Sequence, residues 1–182
     1  MKGNRAAVAA VIVIVLVITG WWLFKRGGGA STVDLIEQFP TAEKRPPGGK
    51  FEVIEAELDG VKHKAIFTLP ETRIIWKLRV PDDAWLRVSV GMKPESWTAE
   101  GDGVLFHVGV SDGRTFDELF IQHVNPYLNA GERRWIPVVV DLAPYAGEEI
   151  QLIFNTNNSQ PGKGDDDRND LALWGAPVIT TK

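Results

Sequence analysis

The stretch from Gly162 to Asp170, Gly-Lys-Gly-Asp-Asp-Asp-Arg-Asn-Asp, concentrates oxygen donors in what reads as a loop. Calcium takes six to eight oxygen ligands, and Asp165, Asp167 and Asp170 are the side chains expected to hold it. The spacing is not that of an EF-hand loop, and a solvated acidic turn is the alternative reading. A second set of residues is aromatic: Trp97, Tyr127 and Trp135. Aromatic faces can cover the apolar face of a pyranose. Polar neighbours such as Asn125, Asn129 and Gln122 would hold its hydroxyls. The competing expectation is that aromatics of a β domain fill the core, as Trp76 is expected to do.

Catalytic signatures are missing from the sequence. His63, His107 and His123 are the only histidines, and their spacing supplies no zinc motif. His107 falls on the polar face of an expected strand. There is no cysteine, which excludes disulfides, thiol catalysis, iron–sulfur clusters and cysteine–zinc sites. No Gly-x-Ser-x-Gly elbow, phosphate-cradling glycine loop or nucleophile–base signature occurs. The 24 acidic residues always offer some carboxylate pair for glycoside hydrolysis, so such a pair identifies nothing by itself. The expectation is a protein without catalytic activity.

These candidate residues must be positioned by strands. From residue 51 the polarity alternates with period two: Ile54, Ala56 and Leu58 oppose Glu55 and Glu57. Asp59-Gly60 is a hairpin signal leading into Val61 to Thr68. Ile74, Trp76, Leu78 and Val80 alternate with Arg73, Lys77 and Arg79, and Leu86, Val88, Val90 and Met92 follow. Similar patterns recur at residues 104–110, 136–142 and 150–154, and a last strand spans Leu171 to Ile179. Thr115 to Val124 is strand-like, but its two faces are not cleanly separated. About nine one-sided strands predict antiparallel sheets with one buried face each. Packing two sheets face to face buries them all. The predicted fold is all-β, a two-sheet antiparallel β-sandwich of jelly-roll type; the immunoglobulin cysteine–tryptophan–cysteine pattern is absent.

The C-terminal third carries Arg134-Trp135, Val140-Asp141-Leu142, Tyr145-Ala146-Gly147, then Ile150, Leu152, Phe154 and Thr156. Asp170, Ala172, Trp174-Gly175 and Pro177 close it. Over residues 70–180 this resembles the galactose-binding-like and carbohydrate-binding jelly-roll modules of bacterial envelope proteins. The resemblance implies the fold, the option of a glycan ligand and a structural calcium. It does not choose a ligand, because such modules serve many roles. The local chemistry is that of a scaffold: Asp141 is placed to accept from backbone amides at a strand end, and Gly147 to take a positive φ in a turn.

In front of this domain stands an uncharged run, Ala6 to Phe24, flanked by Lys2, Arg5, Lys25 and Arg26. As a helix it would span about 28 Å, close to a bilayer's hydrocarbon core. Its eleven Val, Ile, Leu and Phe residues favour insertion, by about 3–7 kcal/mol in all. A cleaved signal peptide would have a shorter apolar core and a small-residue cleavage site, for which Gly28-Gly29-Ala30 is the candidate. No lipobox cysteine exists. The expected organisation is an N-terminal transmembrane α-helix over residues 1–26, a Gly/Pro-rich linker over 27–50 and the sandwich over 51–182.

All 24 acidic residues and 16 of the 20 basic ones follow residue 30, a formal charge of −8 for that part. This disfavours nucleic acid and anionic headgroups as partners, and suits a basic protein surface or a neutral glycan. Basic residues balance across the span, so charge does not set its orientation. The short N-terminal flank and the envelope-like domain favour a single-pass protein of the bacterial inner membrane with a periplasmic C-terminal domain. Residues 6–24 would contact lipid. The leading expectation is an accessory subunit docked on an integral membrane protein partner. A tethered carbohydrate-binding module of the envelope is the second reading and a glycan-active enzyme the third.

Overall fold

The computed structural model describes residues 32–158 and 166–181. The anchor expected over 1–26, with its span 6–24, lies outside the described residues. Among the described residues no helix is long and apolar enough to cross a membrane.

The alternating pattern produces strands β1 (Thr32–Asp34), β2 (Glu43–Arg45), β3 (Phe51–Leu58), β4 (Val61–Thr68), β5 (Thr72–Arg79) and β6 (Ala84–Met92). They are followed by β7 (Val104–Ser111), β8 (Phe116–Val124), β9 (Ile136–Asp141), β10 (Glu149–Asn158) and β11 (Ala172–Thr181). The first sheet has the order β3-β4-β11-β6-β9, with β1 also paired to β11; the second has the order β2-β5-β10-β7-β8. All pairs are antiparallel. The predicted two-sheet sandwich is therefore the observed one. At the expected hairpin, Asp59 and Gly60 both take positive φ, +50° and +76°, the backbone of a two-residue turn that matches strand twist.

The sheets meet over a core of interlocked rings. Trp174 of β11 sits edge-on to Phe106 at 5.0 Å and tilted on Phe154 at 4.5 Å, and Phe154 meets Trp76 at 4.9 Å. All four rings are fully buried. Trp76 thus fills the core as its strand pattern predicts.

The sandwich starts earlier than the expected residue 51. Within the stretch read as linker, β1 pairs with β11 and β2 with β5. Between them Leu35, Ile36 and Phe39 are buried. Asp34 Oδ1 accepts from the Ile36 amide at 2.7 Å, and Trp76 Nε1 donates to Leu35 O at 3.1 Å. Three apolar side chains among prolines and glycines were enough to dock this segment, because each covers an edge of the core.

The blurred faces of residues 115–124 have a cause too. Val108 pairs with Phe120 but Gly109 with Glu118, so Leu119 is an extra residue in a β-bulge. A bulge shifts the alternation by one residue partway along the strand.

Gly175 permits a close approach. A Cβ there would lie 2.7 Å from the Trp135 ring, which rests on the outer face of the first sheet. Trp135 is itself buried, so the ring cannot move aside. Gly175→Ala is expected to cost about 1–3 kcal/mol. The check is a lower urea midpoint with an unchanged slope; an unchanged midpoint would contradict this packing.

Candidate functional site

Loops 93–103, 125–135 and 166–171 interlock at one end of the sandwich. Ser96 Oγ donates to Asn169 O at 2.5 Å, and Asn169 Nδ2 to Glu100 O at 2.8 Å. Asn125 Nδ2 donates to Gly101 O at 3.1 Å while its Oδ1 accepts from the Leu128 amide at 3.2 Å. Arg133 donates through Nε to Pro126 O and through Nη2 to Trp97 O, both at 3.0 Å. Side-chain bonds to backbone carbonyls of this kind fix loop shape without help from a sheet ladder.

The loops bring most of the expected glycan residues together but do not expose them all. Tyr127 and Asn129 are exposed, and Leu128 between them is 77% exposed. Asn129 Oδ1 accepts from the Gly131 amide at 3.1 Å. Asn125 is buried and spends its amide on the loop itself. The Trp97 ring is half-buried, with Nε1 donating to Met92 O at 3.0 Å. Gln122 is half-buried on β8, opposite Phe106 and so on the inward side. Trp135 is enclosed, and Trp97 packs against the same cluster. Trp135 is buried with Leu58, Ala65, Phe67 and Leu173 in a second small core, against His63 at 4.9 Å, and Nε1 donates to Val61 O at 2.9 Å. A ring enclosed in this way has no face left for a sugar. Of the three expected rings, Tyr127 is exposed, Trp97 is half-buried and Trp135 is buried.

The acidic segment divides similarly. Asp165 lies outside the described residues, and Asp167 is exposed. Asp166 is taken by Arg168, whose Nε and Nη2 both donate to it at 2.7 Å, and this pairing holds its carboxyl down at about 2. Asp170 is 1% exposed. Neither of its carboxylate oxygens has a hydrogen-bond partner among the described residues, and the same holds for the buried Oδ1 atoms of Asp102 and Asn158.

Strand register places these three residues at one end of the sandwich. Val104 and Asn158 are paired, and Phe106 pairs with Thr156. Across the interior, Thr156 Oγ1 lies 3.2 Å from Thr68 Oγ1, and Thr68 pairs with Ala172. Asp102, Asn158 and Asp170 each stand two residues beyond one of these inward positions, all toward the same end. Burial pushes the Asp170 carboxyl up to about 8, and the charges of Asp102, Asp166 and Asp167 add to the rise. A buried acceptor without a donor costs about 1–3 kcal/mol. A hard cation would relieve several at once. No group of three His, Asp or Glu side chains suited to a metal exists among the described residues. Two carboxylates and an amide oxygen are the hard donors that calcium takes, and a full shell would need further carbonyls or water. Asp102 and Asn158 escaped the sequence reading, although continuing the inward alternation past Val104 and Thr156 reaches both.

The histidines serve the scaffold. His107 Nδ1 pairs with Glu118 at 2.7 Å on the outer face of the second sheet, a partner the sequence reading did not give it. His123 Nε2 lies 2.7 Å from Asp102 O, and His63 rests on Trp135.

The fold is similar to the jelly-roll sandwich of carbohydrate-binding modules. Among solved structures it resembles a CBM51 module from the GH95 protein of Clostridium perfringens, solved in complex with methyl-galactose. That likeness has TM-score 0.57 and 18% identity, over 82% of this chain and 99% of that one. A structure of the CBM51-2 and INT domains of Clostridium perfringens ZmpB follows, with TM-score 0.56 and 14% identity over 76% of this chain and 29% of that one. In sequence, the chain is 41% identical over 105 residues to an uncharacterized protein of Archaeoglobus fulgidus. That match takes in 57% of this chain and 25% of the relative, so the chain spans about a quarter of the relative's length. No protein-family profile matches.

Proposed function

We propose that the chain is a non-catalytic carbohydrate-binding module, carried on the outer, periplasmic face of a membrane by a helix over residues 6–24. The observation that carries this reading is the likeness of fold over 99% of a module solved with a bound sugar. The uncharged run from Ala6 to Phe24 supports the tether. At the loop end Tyr127 offers its ring, Asn129 keeps its Nδ2 donors for a hydroxyl, and the Arg133 bridges hold both loops in place before a ligand arrives. A loop already ordered loses less entropy on binding.

Asp102, Asn158 and Asp170 lie beneath these loops and would hold a calcium ion. The ion would supply positive charge and ligand bonds that tie loop 93–103 to loop 166–171. Its role is structural: the residues of the binding face stay in register, and no reaction is involved.

The test is affinity electrophoresis of the full chain, in mild detergent, through gels containing different soluble polysaccharides. Retardation by at least one neutral glycan is expected. Tyr127→Ala should weaken it about tenfold, the value of one aromatic contact, without altering the melting temperature. Free migration through every polymer would contradict the reading.

A further inference from the structure

The outer face of the second sheet has a chemistry the loop site does not use. Along β5 the outward residues include Arg73, Lys77 and Arg79, opposite Asn155, Gln151 and Glu149 of β10. Arg73 Nε donates to Asn155 Oδ1 at 2.7 Å. None of the three cations forms an ion pair among the described residues. Two carboxylates of this face are paired with basic side chains. Glu43 pairs with Arg45 at 2.5 Å and Glu118 with His107 at 2.7 Å; Asp112 accepts from the amides of Arg114 and Thr115 at 2.8 Å, bonds that favour its ionised form, so it keeps its charge. Glu149 faces Arg79 in register without pairing. A hollow of about 460 Å³ opens between Lys77, Arg79, Gln151 and Ser111, and the carboxylates Asp112 and Glu149 also line it, so the cations are in excess along β5 rather than in the hollow itself. Beside it the half-exposed Phe116 ring covers Gly109, where a Cβ would come within 2.3 Å of it.

We propose that this face binds an extended acidic polysaccharide, its carboxylates on Arg73, Lys77 and Arg79 and its hydroxyls on the amides of β10. Six residues along a strand span about 20 Å, so a single small anion cannot serve all three cations. Amides beside the cations suit a chain bearing hydroxyls as well as charge, and the Phe116 ring offers a sugar an apolar surface. The domain is acidic overall, which makes the patch local: a hollow on the first sheet is lined instead by Glu55, Glu57 and Glu95 with Lys93. That the polymer is a polysaccharide rests on the carbohydrate-binding reading above; the face itself is separate from Tyr127.

The test uses the full chain in neutral detergent with polygalacturonate, a neutral galactan and phosphatidylglycerol vesicles as probes. Polygalacturonate should bind and should weaken as salt rises from about 0.05 to 0.5 M. The triple variant Arg73→Gln, Lys77→Gln, Arg79→Gln should bind it about tenfold more weakly, with an unchanged melting temperature. Tyr127→Ala should leave this binding intact. Equal binding by the triple variant overturns the proposal, as does preference for vesicles through the same residues. Binding of neutral glycan with none of polygalacturonate overturns it while leaving the broader reading in place.

Discussion

Calcium added to chelator-treated protein is expected to raise its melting temperature by about 5–10 °C. An ion at a hundred times its Kd adds about 2.7 kcal/mol, and a domain of this size shifts by about 2–4 °C per kcal/mol. The sign of the pH dependence follows from Asp170. Its carboxyl is raised from 3.8 to about 8 in the fold. Without a cation, its contribution to stability is fully present below pH 3.8 and is lost as pH climbs through about 8. Calcium requires the ionised carboxylate, so it should bind more tightly over that same interval and flatten the loss. Melting curves at acid, neutral and alkaline pH, with calcium and with chelator, measure both effects. Asp170→Asn should abolish them together. Curves that superimpose with and without calcium would remove the ion from the account.

Trp174→Ala should be the most damaging single change, at about 3–5 kcal/mol. The indole is 1% exposed and touches Phe106 and Phe154 of the opposite sheet, so its loss opens a cavity between the sheets. Against a total of about 5–15 kcal/mol, that removes about a fifth or more of the stability. Urea unfolding should show a large fall in midpoint or loss of the cooperative transition. A shift of under about 2 °C on heating would mean that Trp174 does not hold the sheets together.

The strands were legible because one-sided burial writes itself as alternation. Asp59-Gly60, Asp141 and Gly147 did in the structure what their types predicted: a positive-φ turn, an acceptor for the Ala143 amide at 2.9 Å, and a φ of +79°. Residues 32–50 were less legible, because Leu35, Ile36 and Phe39 are spaced for a turn and a short 3-10 segment rather than for either regular period. The site was less legible. Trp135 and Tyr127 are both aromatics near strand ends, and nothing in their spacing separates a ring that lies on Gly175 from one that faces water. The difference comes from which glycines the folded sheet sets opposite them. Asp102 and Asp170 are 68 residues apart in sequence, and only strand register brings their carboxylates to one end.

The most direct test is a calorimetric titration of the full chain, with calcium in mild detergent, against the neutral glycan that retards it most. A saturable isotherm with one site per chain is the predicted result, weakened about tenfold by Tyr127→Ala and retained in Trp135→Phe. Heats no larger than dilution for every neutral glycan, from a protein that still melts cooperatively, would contradict a carbohydrate-binding role.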